Sequence, residues 1–286
     1  MVDDVDNTAQ TGTLATSIGD MSWHASGNGE TLLFLHGLLT NASSWDAVIK
    51  DLEQEFRCVA LDLPLGSHTC PAREDAALTV ETLAIAVCEA ASELCPDGFT
   101  LIGSDTGGVV AQLAALRKPA GLTRLILLSC DTEKNFLPPV LRYLQFAAYA
   151  PGAMQALRLS LRSRWIRRLP IAFGWLVQRE LTEQEWESII APLRSPPVRR
   201  DLGKILRGIS TRYTMRAAKE LESFPLPTLF LWADTTKMFP IANAYALAER
   251  MPNAHVKSVP DSLAFSHLDQ PQYVSQSIMN EVKRGQ

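Results

Sequence analysis

The sequence predicts an α/β fold: a mostly parallel β-sheet with helices on both faces and an all-helical cap inserted after the sixth strand. Three observations carry the prediction. Short apolar runs alternate with stretches of helical spacing over residues 31–130, and the same rhythm returns over 228–283. Between them, residues 134–221 contain no strand-like run, and Pro138, Pro139, Pro151, Pro170, Pro192, Pro196 and Pro197 punctuate successive helical segments. Apolar runs separated by helices are the pattern of parallel strands covered on both faces, since each such strand needs a crossover to reach the next.

The elements follow in chain order. MVDDVDNTAQ, residues 1–10, is polar and acidic and reads as a flexible tail. TGTLATS and DMSWHAS, within 11–26, read as an antiparallel hairpin at one edge of the sheet. TLLFLHG (31–37) is a buried strand ending in a turn, followed by helical spacing over 43–53. RCVALDLP (57–64) is a second buried strand, stopped by Pro64. Residues 79–95 form a helix with Val80, Leu83, Ala84, Val87, Cys88 and Ala91 on one stripe. FTLIGSD (99–105) is a third buried strand, 107–117 a helix ending near Pro119, and LTRLILLSC (122–130) a fourth. After the cap come a strand at 228–234, a helix at 240–251, a strand at 254–261 and a last helix at 270–283. The core therefore comprises 11–133 and 222–286, with the cap at 134–221.

Composition narrows the function classes. The chain has 286 residues, 47% of them hydrophobic, and a net charge of −4. That is ordinary for a globular enzyme and gives no sign of nucleic-acid binding. No apolar run reaches the ~18 residues of a membrane span, and the N-terminus lacks the basic and apolar regions of a signal peptide. Cys58, Cys70, Cys88, Cys95 and Cys130 are scattered and odd in number. Cys58, Cys88 and Cys130 sit in apolar patterns, so reduced thiols and a cytoplasmic location are expected. No pair of cysteines has zinc-ligand spacing. The cap is basic, with 16 Lys and Arg against 6 Asp and Glu. Solvated helix faces account for that, with a lid that attracts an anionic substrate as the sharper alternative. Membrane contact by Arg164, Arg167 and Arg168 around Trp165 is not expected. The oligomeric state stays open, a dimer included.

The chemistry centres on LIGSDTGGVVAQLAA, residues 101–115. A strand turns sharply into a helix with Asp105 displayed at the corner. Gly103 and Gly107 flank it where the two backbones crowd. Such a corner holds its central residue in strained geometry, and the first helical amides, notably that of Thr106, point at the same spot. Paired with the amide of Leu38 they would make an oxyanion hole. The bland alternative is an Asp that merely caps the helix.

Together these elements resemble the α/β-hydrolase superfamily, over about residues 12–283. His36-Gly37 resembles its HG oxyanion-loop motif, with His36 expected to brace the loop. Gly103-Ser104-Asp105-Thr106-Gly107 resembles its nucleophile elbow, with Asp in the manner of haloalkane dehalogenases, haloacetate dehalogenases and epoxide hydrolases. SCDTEKNFLPP (129–139), LWADTTKMFP (231–240) and DSLAFSHLDQP (261–271) are similar to a less characterised bacterial branch. The resemblance implies that Asp105 attacks carbon and that a histidine, oriented by a second acid, activates the water that releases the ester. Both partner positions are degenerate: Ala264 stands where the histidine belongs and Thr236 where the acid belongs. His267, three residues on, and Asp131, on the loop after the strand ending at Cys130, are the candidate substitutes. His24, His68 and His255 are assigned no role. Thr106 replaces the tryptophan that binds halide in dehalogenases, and Leu38 replaces an asparagine. Epoxide hydrolases use cap tyrosines to protonate the opening oxygen. The cap holds Tyr143, Tyr149 and Tyr213, and Tyr213 is nearest the expected position.

The leading expectation is thus a hydrolase acting through Asp105 on an epoxide, ester or similar electrophile. Its rivals are a non-hydrolytic epimerase, lyase or cyclase, and a ligand-binding protein that has lost its chemistry. The expected partner is a small-to-medium, partly hydrophobic substrate. No metal, nucleotide or other cofactor is implied.

Overall fold

The computed structural model describes residues 9–284. Residues 1–8 of the expected tail lie outside the described residues, whereas Gln10 already belongs to the first strand. Eight strands form one sheet: β1 (Gln10–Thr16), β2 (Gly19–Ser26), β3 (Thr31–Leu35), β4 (Arg57–Leu61), β5 (Phe99–Ser104), β6 (Leu122–Leu128), β7 (Thr228–Ala233) and β8 (Ala254–Val259). Their order is β1-β2-β4-β3-β5-β6-β7-β8. β2 pairs antiparallel with both β1 and β4, and the other pairs are parallel. The chain runs from β3 outward to β4 on one side and returns to β5 on the other. β3 and β5 therefore sit at a switch point, where Leu35 lies opposite Gly103 and a crevice opens beyond their carboxyl ends.

The helices are α1 (Asp46–Leu52), α2 (Val80–Leu94), α3 (Asp105–Leu116), then six in the insertion: α4 (Arg142–Ala147), α5 (Ala153–Ser160), α6 (Arg164–Arg167), α7 (Glu183–Ile190), α8 (Pro196–Gly208) and α9 (Thr211–Leu221). The core is completed by α10 (Ile241–Ala248), α11 (Ser266–Asp269) and α12 (Pro271–Lys283). Helix α2 begins where Thr79 and Thr82 close a reciprocal capping box. Helices α1 and α12 cover one sheet face over Leu32, Phe34, Ile102 and Ile126. The other face lies under α2, α3 and α10, and its apolar layer continues without a break into the insertion. Helix α9 packs on α3 and buries Ala217 and Leu221. The layer over the sheet thus begins before residue 222. Cys58, Cys95 and Cys130 are buried, while Cys88 and Cys70 are half-buried, and all five are free thiols.

Three polar joints fix the insertion to the core. The Asp269 carboxylate accepts the amides of Gln178, Arg179 and Leu263, and Phe265 N–H donates to the Leu176 carbonyl. On the far side, fully buried Asp201 of α8 accepts the Ala72 amide at 2.8 Å and faces His68 Nε2 at 3.3 Å, and Ser67 donates to the Ile189 carbonyl. At the neck, Arg250 grips Glu133 at 2.5 Å and Glu222 at 3.0 Å.

Replacing Asp269 by Ala orphans three amides where cap meets core. The expected cost is about 1–3 kcal/mol, read by urea unfolding. Limited proteolysis should cut the Asp269→Ala cap before the sheet, and a protease-resistant cap would show that the joint is dispensable.

Candidate active site

Strand β5 passes into helix α3 with no intervening residue, and Asp105 stands at the corner with φ +52°. That left-handed conformation is strained for an aspartate and persists only when its surroundings impose it. The surroundings are backbone. A Cβ on Gly103 would lie 2.6 Å from the Gly107 carbonyl oxygen, and one on Gly107 would run into the carbonyl of His36. A Cβ on Gly37 would lie 2.5 Å from Asp105 Oδ2. Glycine at all three positions lets the β3 loop, the end of β5 and the start of α3 meet.

The Asp105 carboxylate does not cap its helix, whose N-cap is Ser104. It turns to the oxyanion loop, where Leu38 N–H donates to Oδ2 at 2.7 Å, and the amide and hydroxyl of Thr106 also favour its charged form. Burial outweighs these bonds and pushes the carboxyl up to about 6. His36 braces the loop: its Nδ1–H donates to the Gly37 carbonyl at 2.9 Å, and its Nε2 accepts the Leu63 amide at 2.8 Å. Both nitrogens are used within the scaffold, burial lowers the ring's proton affinity, and His36 stands neutral.

Asp105 forms the floor of a cavity of about 410 Å³ beneath the cap. Its walls come from the oxyanion loop, α4, α5 and residues 166–176. Among the lining side chains, Asp105, Tyr143 and Ser160 carry polar groups and the rest are apolar. Tyr143 donates its hydroxyl proton to the Ile171 carbonyl at 2.6 Å.

The other candidates are placed differently from expectation. Ala264 is fully buried beside Phe265, and buried Thr236 accepts the Met238 amide, so neither offers a proton-transfer group. His267 does not rotate into the site. It lies under the surface with its ring stacked on Trp45, centroids 4.3 Å apart, and neither ring nitrogen has a hydrogen-bond partner. Burial, with His36 and Arg179 nearby, pushes it down to about 3. It is not among the residues lining the cavity. Tyr213 misses the cavity too, because α9 belongs to the layer over the sheet, and its hydroxyl accepts a bond from Arg212 at 2.6 Å. The cap tyrosine that reaches the cavity is Tyr143.

Asp131, just past β6, is buried, with Oδ1 unpartnered. Asp105 N–H reaches the Ser129 carbonyl two residues before it, and Gly108 packs on Cys130. Burial, followed by the charge of Asp105, holds Asp131 well above the usual carboxylate range, against a bond from the Leu137 amide. The structure therefore gathers Asp105, Leu38, Thr106 and His36 at the elbow; Asp131 is near enough to feel the charge of Asp105 but, like His267, does not line the cavity. Among the described residues no group of three or more His, Cys, Asp or Glu is placed to hold a metal ion.

The buried, unpartnered His267 makes a stability prediction. Its folded affinity lies below the unfolded value of 6.5, so its contribution is present above that pH and is lost as pH falls toward about 3. Phenylalanine keeps the stack on Trp45 and removes the titration. His267→Phe should flatten the acid limb of a melting-temperature-versus-pH curve without lowering stability at neutrality. A large loss at neutral pH would mean that the ring nitrogens are bonded.

Comparisons with known proteins agree with the fold. The family model for the alpha/beta hydrolase fold matches residues 30–271. YugF of Bacillus subtilis, described as an uncharacterised hydrolase, is 23% identical over 259 residues, which cover 89% of this chain and 90% of that one. The pimeloyl-[acyl-carrier protein] methyl ester esterase of Vibrio campbellii is 21% identical, covering 82% of this chain and 87% of its own. The solved structure of the epoxide hydrolase CorEH superposes with a TM-score of 0.81 at 19% identity, covering 98% of this chain and 100% of that one. At that identity the superposition speaks for the fold alone. The chain belongs to the α/β-hydrolase fold family, and it is as a hydrolase of that family that its site has to be read.

Proposed function

We propose that Asp105 is a nucleophile toward an electrophilic carbon, such as that of an epoxide, in a largely hydrocarbon substrate. The observation that carries this reading is the 2.7 Å bond from Leu38 N–H to Oδ2. The oxyanion hole is aimed at Asp105's own carboxyl group, so the other oxygen is left to attack. In epoxide opening, that oxygen forms a bond to carbon, the ring C–O bond breaks, and its electron pair passes to the epoxide oxygen. Tyr143, the ionisable cap residue in the cavity wall, is the proton donor in this reading. Water then adds to Cγ of the ester, and charge gathers on Oδ2, where the amides of Leu38 and Thr106 stabilise it.

The water step needs a proton acceptor, and the position of His267 does not favour it. Asp131 is our candidate. Burial first, and the charge of Asp105 second, keep a proton on Asp131; alkylation removes the charge but not the burial, and in this reading the Tyr143 phenolate left by ring opening, a stronger base, takes the Asp131 proton. Ionised Asp131 then takes a proton from water, returns it to the departing alkoxide, and recovers its own proton from the Asp105 carboxylic acid that hydrolysis leaves. The curated relatives include methyl ester esterases, which keeps esters among the electrophiles to test.

A second reading has one observation in its favour: with its carboxyl near 6, Asp105 is suited to reversible proton transfer at neutral pH. An epimerase or lyase of that kind would exchange acidic C–H hydrogens without a covalent adduct.

Intact-protein mass after incubation with epoxides, alkyl halides and activated esters separates the readings. The expected result is an adduct absent from Asp105→Asn and accumulating in Asp131→Asn, where turnover should fall about 10²–10⁴-fold. Turnover unchanged in Asp131→Asn would remove Asp131 from the mechanism. Substrate deuterium exchange with no adduct would select the second reading. Alkylation requires ionised Asp105, so its rate should rise with pH and level off above about 6. A rate already flat from pH 4 would contradict the desolvated state of the carboxyl.

A further inference from the structure

The outer face of the cap carries large apolar side chains that are exposed. Phe146 is 75% exposed, Tyr149 69% and Trp165 82%, with Tyr143, Leu169 and Ile171 each above 40%. Soluble monomers scatter such residues singly; a contiguous group marks a contact surface. Most of these residues are neighbours along the cap. Tyr143 and Phe146 share a face of α4 at i, i+3 spacing, Tyr143 bonds to Ile171, and Trp165 precedes the cavity-lining Ile166 and lies one turn before Leu169.

Two further features say what covers it. The first is the cavity. Tyr143, Leu169 and Ile171 both line it and reach the surface, so they form its rim, and the exposed patch surrounds the mouth. The second is charge. The cap holds 16 Lys and Arg against 6 Asp and Glu in a chain whose net charge is −4, so the remainder of the molecule is strongly acidic. Arg142, next to Tyr143, and Arg162, three residues before Trp165, stand exposed with no acidic partner within 4 Å among the described residues, while Arg164 and Arg168 lie on either side of Trp165 in the chain and pair with Glu183 and Glu180. Aromatic side chains set near arginines, on a basic segment of a chain whose remainder is acidic, match the headgroup region of an anionic lipid layer.

We propose that the outer face of the cap, from α4 to Ile171, docks on an anionic lipid surface, with the mouth of the cavity opening against it. An apolar substrate then passes from the lipid phase over Tyr143, Leu169 and Ile171 to Asp105 without crossing water. The contact is peripheral: among the described residues no helix is long and apolar enough to cross a membrane. The basic residues around Trp165 thereby gain a role beyond the solvated helix faces expected from sequence.

The test is co-sedimentation of the full chain with vesicles of phosphatidylcholine alone or mixed with phosphatidylglycerol. The expected result is binding to the mixed vesicles, weakened by salt as the Debye length shortens, and little binding to phosphatidylcholine. Phe146→Ala and Trp165→Ala, neither in the cavity wall, should each weaken binding about tenfold, and Arg142→Glu with Arg162→Glu should weaken it at low salt with an unchanged melting temperature. Asp105→Asn should bind as the parent does, which keeps this inference separate from the chemistry of Asp105. Failure to sediment with mixed vesicles would overturn the proposal, as would equal binding to both kinds. So would light scattering that finds a dimer dispersed by Trp165→Ala, which would give the patch to a second copy of the chain.

Discussion

Everything at this site depends on a crowded crossing of three backbones. The loop after β3, the end of β5 and the start of α3 come so close that Gly37, Gly103 and Gly107 cannot carry a side chain. The crossing forces Asp105 into a left-handed conformation and aims its carboxylate at the Leu38 amide. The sheet order produces the crossing, because β3 and β5 are neighbours from which the chain departs in opposite directions. The strain at Asp105 is held by the sheet beneath it and by His36, whose two nitrogens tie the loop to Gly37 and Leu63.

From that point the chemistry follows from what surrounds one carboxyl group. Apolar walls remove its solvation and two amides return part of it. The result is a carboxyl pushed up to about 6 in a cavity whose other polar side chains are Tyr143 and Ser160. No imidazole lines that cavity; the second buried carboxyl, Asp131, is held protonated by burial first and by the charge of Asp105 second. Two acids that titrate as a pair can order a two-step reaction, because the first step changes the protonation available to the second.

The elbow was legible in the sequence because its determinants are local. Glycines at fixed spacing around Asp105, an apolar run before and a helical run after, state the backbone geometry directly. The strands and the inserted helices were legible for the same reason. The orientation of single side chains was not. His267 lies one helical turn from the expected base, yet its ring is claimed by Trp45, more than two hundred residues away in the chain. Tyr213 is in a helix read as part of the lid, but α9 packs on α3 and takes the tyrosine with it. Asp131 was placed on the right loop. The role of orienting a histidine fell away when no histidine faced it, which only the three-dimensional arrangement could reveal.

The Arg250 clamp has a consequence for how such a molecule can change. By holding Glu133 and Glu222 together, it makes the chain leave the sheet and return to it at a single doorway. What lies between Glu133 and α9 can be lengthened, shortened or exchanged without altering the register of any strand. The sheet and its elbow form a socket of fixed design, and the inserted helices are an interchangeable fitting that decides which molecules reach Asp105.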